Sequence, residues 1–318
     1  MKLSSENLKK YYFGAYFFEE DTDGYLLAYQ HSKEQMEYFR KTNDFWYERS
    51  FASNAKTLEF ITDADSVSFD YKFVWQGSPD SFELAEDGLI TDIRYIKRLD
   101  NEGRLSFSLS EGEKHVTIYL PADSTVVIKD LEISTDQMPK IPQKKDRVLW
   151  LGDSITQGYG PLRSGMTYVS VANRILNYDI INQGIGAFIY DADSLMELSG
   201  YDPDKIIVSL GTNQFGDESI EPVRRYYERL IGLYGSKTPI LCITPIWRGD
   251  LPSQIPKFLD YCEQIKHVAS SYANVKIVDG LKLVPHLEEY YIDNLHPNCL
   301  GTQAYGVNLA KSIESIGF

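Results

Sequence analysis

Cysteine is scarce in this chain of 318 residues. The three present, Cys242, Cys262 and Cys299, are odd in number, widely spaced and without a CxxC pair. Neither a disulfide framework nor a structural zinc site is expected from them. Cys242 lies in an apolar run and reads as core. Long apolar runs are missing too. No stretch of about 18 apolar residues occurs, so no transmembrane helix is expected. The first residues, Met1-Lys2-Leu3-Ser4-Ser5-Glu6, show no apolar signal segment, so the expected compartment is the cytoplasm. Clustered Lys and Arg are also absent. The net charge is −14, with −9 in residues 1–146 and −5 in the rest. That spread of acidity argues against nucleic acid and against an anionic membrane surface as partners. No repeat and no low-complexity segment is present.

What the chain does have is two different patterns, one on each side of a short linker. Tyr11-Tyr12-Phe13 and Tyr16-Phe17-Phe18 suggest an early strand pair, and Lys33 to Lys41 a short helix. From about Leu58 the apolar period is two. Val67, Phe69, Tyr71, Phe73 and Trp75 alternate with Ser68, Asp70, Lys72 and Val74, the mark of a strand with one dry face. Strand-like runs recur at 90–96, 104–109, 115–120 and 125–133, separated by turn residues such as Asp100-Asn101-Glu102-Gly103. Many short strands and little helix predict an all-β sandwich, jelly-roll-like, over residues 1–137. Residues 138–146, with Pro139 and Pro142, predict a linker.

After the linker, apolar runs alternate with helical patterns. Strands are expected at 147–151, 179–183, 205–210, 239–244 and 275–278. Helices are expected at 167–176, 194–198, 219–234, 255–270 and 301–316. Such βα units predict an α/β fold over residues 147–318. The expected form is a flavodoxin-like three-layer sandwich with a parallel sheet and its first strand central. That first strand, Val148-Leu149-Trp150-Leu151, ends abruptly in Gly152-Asp153-Ser154, at the sheet edge where open α/β sheets keep their chemistry.

Ser154 is therefore a candidate nucleophile, and a serine hydroxyl needs a base and a group that fixes the base. Of the five histidines, His31 and His115 lie in the β part. His267 sits in a helix and His286 in a loop. His296, in Asp293-Asn294-Leu295-His296-Pro297, follows the last strand and precedes the last helix, so one loop can deliver base and carboxylate to the edge that carries Ser154. Oxyanion donors are expected at the ends of strands two and three. Asn182-Gln183-Gly184-Ile185-Gly186-Ala187 has small residues that let N–H groups approach a substrate, and Asn213 can present a side-chain amide. Trp247 and Arg248 follow strand four and are candidates for lining the cleft.

These four stretches, in this order, resemble the sequence blocks of the SGNH or GDSL-like hydrolases. The β domain ahead of them is similar in layout to carbohydrate esterase family 2 acetyl esterases. The resemblance implies Ser154 as nucleophile and backbone oxyanion donor, His296 as general base, Asp293 as its orienter and Asn213 as side-chain donor. The family usually has a glycine as third donor where this chain has Ala187. Its N–H is expected to serve if the local φ is negative, with Gly186 as fallback. No metal and no cofactor is required. The implied function is a serine esterase removing small acyl groups, chiefly O-acetyl, from carbohydrates, so the expected partner is an acylated small molecule or oligosaccharide. A lipid or thioester acylhydrolase is the second reading, and a non-catalytic carbohydrate-binding protein the third. The oligomeric state is not legible in the sequence.

Overall fold

The computed structural model describes residues 1–78, 80–216 and 219–318. The amino-terminal part contains α1 (Ser5–Lys9), β1 (Tyr12–Phe13), β2 (Phe17–Glu20), β3 (Leu26–Tyr29), α2 (Lys33–Thr42), α3 (Asp44–Arg49), β4 (Thr57–Thr62), β5 (Ser66–Trp75), β6 (Ser81–Glu86), β7 (Leu89–Tyr95), β8 (Glu102–Ser108), β9 (Lys114–Tyr119) and β10 (Thr125–Ile133). The strands form two antiparallel five-stranded sheets, ordered β1-β4-β9-β6-β7 and β2-β3-β10-β5-β8. Together they make a β sandwich. The dry face of β5 meets β6 across its core, where the Phe82 ring lies 5.9, 5.5 and 6.0 Å from those of Phe69, Tyr71 and Phe73.

One expectation for this part needs correction. Residues 12–13 and 17–20 are strands, but they do not pair with each other. β1 pairs with β4 and β2 with β3, in different sheets. Gly14 between them takes φ +81, and a Cβ there would lie 2.5 Å from Ala55 O, so the chain turns sharply at a site only glycine fits. The short helix at 33–41 is present and begins with a Ser32–Gln35 capping box. A second helix, α3, follows it unforeseen. Phe39 and Trp46 of this pair pack on Phe188 of the other half, with ring centroids 5.9 and 4.8 Å away. Strand β6 also escaped the sequence reading. Its Ser81-Phe82-Glu83-Leu84 alternates as β5 does, but the polar members are buried as well as the apolar ones, because the outer face of that sheet is covered by the carboxyl-terminal half.

That half contains β11 (Arg147–Gly152), α4 (Ser154–Gln157), α5 (Tyr168–Leu176), β12 (Asp179–Gly184), β13 (Lys205–Ser209), α6 (Glu221–Tyr234), β14 (Ile240–Ile243), α7 (Ile255–Ser270), β15 (Val275–Val278) and α8 (Cys299–Ser315). The sheet is parallel, ordered β12-β11-β13-β14-β15. β11 is thus interior, flanked on both sides, while the middle position belongs to β13. Its side chains alternate between two cores. Val148 and Trp150 face α5 and α8, and Leu149 and Leu151 face α6 and α7. This is the three-layer arrangement of buried parallel strands. The helix expected at 194–198 is absent. A 3₁₀ turn covers Ala192–Ser194, capped by Asp191, and Leu195 and Leu198 are buried without helical backbone. The carbonyls of Ser194 and Leu195 accept from side chains instead, Gln35 Nε2 at 3.2 Å and Arg229 Nε at 3.3 Å, so no helical ladder forms there. Among the described residues, no helix is long and apolar enough to cross a membrane.

Candidate active site

β11 ends at Gly152 and the chain folds back at once. A Cβ on Gly152 would lie 2.0 Å from Thr156 Oγ1. Asp153 caps α4 by accepting the Ile155 N–H at 3.0 Å. Ser154 is the first residue of that helix, at the carboxyl edge of the sheet. Its Oγ lies 3.0 Å from His296 Nε2. His296 Nδ1 lies 2.8 Å from Asp293 Oδ2. Oδ1 of the same carboxylate accepts the backbone N–H groups of Leu295 at 3.0 Å and His296 at 2.7 Å. Asn294, between acid and base, takes φ +61, a conformation asparagine tolerates, and this folds the loop back on itself. The Tyr159 ring stands edge-on to the imidazole, 4.7 Å between centroids.

Burial acts to raise the Asp293 carboxyl, but the bonds from the His296 N–H and ring outweigh it and hold the group below its ordinary value. The carboxylate is therefore an acceptor, so Nδ1 carries a proton and Nε2 is left to accept the Ser154 proton. Such a row can pull a proton from a hydroxyl and return it to a leaving group.

The three oxyanion candidates lie around the same space. Ser154, Ala187 and Asn213 all line one cavity of about 570 Å³. Asn213 Nδ2 donates to Phe188 O at 3.0 Å, which orients its amide. Ala187 departs from the expected negative φ and takes +56, so the condition placed on its N–H is reversed: Ala187 lines the cavity with a left-handed backbone. It is the third residue of a turn closed by Phe188 N–H on Ile185 O at 3.2 Å, and φ is not positive at Gly186. A turn of that class favours glycine at the third position, and an L-residue there costs roughly 1–2 kcal/mol. The fallback donor is engaged elsewhere: the Gly186 N–H donates to Gln157 Oε1 at 2.6 Å.

Trp247 and Arg248 do not line this cavity. The Trp247 ring stacks on His286 at 4.3 Å. Arg248 forms a two-bond ion pair with Asp250, and its Nη1 donates to Thr212 O at 2.8 Å, so it braces the turn that carries Asn213. His31 is buried against Phe39, His115 Nε2 lies 3.2 Å from Glu59, and His267 is on α7.

The opposite wall of the cavity comes from the β sandwich and from α3, and sequence reasoning missed it. Phe45, Arg49, Trp75, Gln76 and Asp123 face Ser154 and His296. The Arg49 guanidinium lies over the Trp75 ring at 4.1 Å and the Phe45 ring at 4.9 Å. The one available signal was Trp75, the last aromatic of the β5 alternation, which emerges from the sandwich 37% exposed. A second cavity of about 420 Å³, between β4, β9 and α5, contains the buried Glu59 but neither Ser154 nor His296. Among the described residues, no group of three His, Cys, Asp or Glu side chains is placed to hold a metal ion.

Residues 150–304 match the model of the GDSL-like Lipase/Acylhydrolase family. The carboxyl-terminal half of the chain is a GDSL-like acylhydrolase domain. Similar solved structures extend over both halves. The salicylyl-acyltransferase SsfX3 from a tetracycline biosynthetic pathway is 20% identical, with a TM-score of 0.75 over 96% of this chain and 94% of its own. A GDSL-like lipase from Bacteroides ovatus ATCC 8483 is 16% identical, with a TM-score of 0.76 over 99% and 97%. A family two carbohydrate esterase from Cellvibrio japonicus is 15% identical, with a TM-score of 0.64 over 99% and 97%. No curated protein matches the chain in sequence. The fold is that of the acylhydrolases with a β sandwich in front, shared by esterases and an acyltransferase.

Proposed function

We propose that the protein is a serine esterase that removes small acyl groups, chiefly acetyl, from carbohydrate hydroxyls. The observation that carries this reading is the continuous row from Ser154 Oγ through His296 to Asp293, open to one cavity. His296 Nε2 takes the Ser154 proton as Oγ attacks the ester carbonyl. The Ser154 and Ala187 N–H groups and the Asn213 amide receive the developing oxyanion. As the tetrahedral intermediate collapses, the C–O bond to the sugar breaks and His296 protonates the departing hydroxyl. Water then attacks the acyl-enzyme, giving its proton to the same nitrogen, and acetate and free serine result.

The substrate class is supported by the cavity wall. Exposed Trp75 and Phe45 beside Arg49, Gln76 and Asp123 offer ring faces and hydrogen-bonding groups together. That mixture suits a hydroxylated leaving group better than a long alkyl chain. The likeness to a family two carbohydrate esterase points the same way. Hydrolysis of p-nitrophenyl acetate should vanish in Ser154→Ala, and acetate should be released from acetylated oligosaccharides. A Ser154→Ala variant as active as wild type refutes the mechanism, and a preference for C8 over C2 esters refutes the substrate class.

A further inference from the structure

The β sandwich reaches past the substrate side of the cavity and into the turn that carries Ala187. Gln157 is 2% exposed and ends α4, three residues after Ser154. Its Oε1 accepts the Gly186 N–H at 2.6 Å, and its Nε2 donates to Asp123 Oδ1 at 3.0 Å. Asp123 belongs to the sandwich, in the connection between β9 and β10. The same Oδ1 accepts from Arg49 Nη1 at 3.2 Å, and Oδ2 accepts the Ser78 N–H at 2.9 Å. The backbone of Asp123 is held in turn, because Asp80 Oδ2 accepts the N–H groups of Ala122 at 2.6 Å and Asp123 at 3.4 Å. Phe45 closes over the turn from the same side. A Cβ on Gly186 would lie 3.0 Å from its ring.

The turn gains from being held. Alanine in the left-handed region is kept there against its own preference. The commoner turn, with negative φ at the third residue, rotates the peptide between residues two and three and aims the Ala187 N–H away. A donor for an oxyanion is effective only when its direction is set before the charge develops.

We propose that Arg49, Asp123 and Gln157 form a positioning relay by which the β sandwich holds the Gly186–Ala187 turn in its oxyanion-binding form. This rests on the esterase reading above. None of the three takes a proton or bonds the reacting atoms. Each acts through the next, ending on the Gly186 N–H. The amino-terminal half is then part of the transition-state machinery as well as a wall for the leaving group.

The test uses the full chain with p-nitrophenyl acetate. Gln157→Met keeps side-chain length and removes both bonds. It should lower kcat 10- to 100-fold with KM within threefold, since the lost interaction is felt in the transition state. Gln157→Glu restores the acceptor for Gly186 but sets two carboxyl groups together, which can bond only by sharing a proton. Its kcat relative to wild type should therefore climb as pH falls from 8 to 5. Arg49→Met should lower kcat 3- to 10-fold. Ser154→Ala is measured in parallel. If Ser154→Ala is inactive while Gln157→Met keeps kcat within threefold, the relay is wrong and the esterase reading stands. If Ser154→Ala is active, the esterase reading itself is wrong. Should Gln157→Met fail to fold, the Gln157→Glu ratio decides, and a ratio independent of pH overturns the relay.

Discussion

Asp293 offers a test in which the ranking of two substitutions is set by geometry. The carboxylate accepts three bonds. Two backbone N–H groups, of Leu295 and His296, share Oδ1, and the imidazole Nδ1 has Oδ2. In Asp293→Asn the amide must choose. Keeping its oxygen where two N–H groups converge saves two bonds, and reversing it saves one. At about 1 kcal/mol per hydrogen bond, with a further cost for facing NH₂ to N–H, the first orientation wins by at least ~1 kcal/mol. The NH₂ then points at Nδ1, which must become an acceptor, and the proton moves to Nε2. In that tautomer His296 cannot take the Ser154 proton. The loss of kcat/KM should approach the ~10⁴-fold typical of a wrong-tautomer triad. In Asp293→Ala no donor opposes Nδ1. The Asp293 side chain is 45% exposed, so water can enter and accept the Nδ1 proton. The loss should be nearer 10- to 100-fold, about 1.4–2.7 kcal/mol of transition-state stabilisation. Steady-state kinetics on p-nitrophenyl acetate at pH 8 reads both. An asparagine variant as active as the alanine variant, or more so, would falsify the assigned roles of the two carboxylate oxygens.

Two further predictions concern stability. Arg163 Nε and Nη2 bond both oxygens of Glu83 at 3.1 and 2.8 Å, tying the catalytic half to the outer face of the sandwich, and Glu83 is fully buried. Arg163→Met leaves that carboxylate without its cation and should cost about 3–5 kcal/mol in urea unfolding, much of it regained in Arg163→Met with Glu83→Leu; a single-variant loss below 1 kcal/mol refutes the reading. Burial pushes the Asp153 carboxyl up to about 7 against the bonds it accepts from the Ile155 and Thr156 N–H groups. A carboxyl whose value is higher folded than unfolded binds a proton on folding, so stability falls as pH rises from about 4 to about 7 and is level above. The gap of about three pH units corresponds to at most ~4 kcal/mol. Asp153→Asn, which can still cap α4, should flatten that slope in urea midpoints taken from pH 4 to 8, and an unchanged slope refutes it.

Much of the catalytic half was readable from local pattern. Buried parallel strands are apolar throughout, so β11 and β14 were evident from their residues, and each strand end carries small or polar residues where the sheet gives out. Asp293 and His296 were legible as a pair because three residues of loop suffice to bring them together. Elements of the sandwich were harder. β6 was missed although Ser81-Phe82-Glu83-Leu84 alternates; what local pattern could not show is that Arg163 covers Glu83, so that the polar face is buried too. The pairing of β1 and β2 was misassigned because a strand does not encode which sheet it joins.

The sequence by itself determined the order of the four blocks, the sheet that displays them and the identity of Ser154, His296 and Asp293 as candidates, since these depend on residue type and on contacts near in the chain. Only the tertiary structure decided the rest. It committed the Gly186 N–H to Gln157, set Ala187 at a positive φ, withdrew Trp247 and Arg248 from the cavity, and supplied Phe45, Arg49, Trp75 and Asp123 in their place. The physical reason is reach. A turn's conformation and a cavity's far wall are set by side chains thirty to more than a hundred residues away, and no local pattern records which of them will meet.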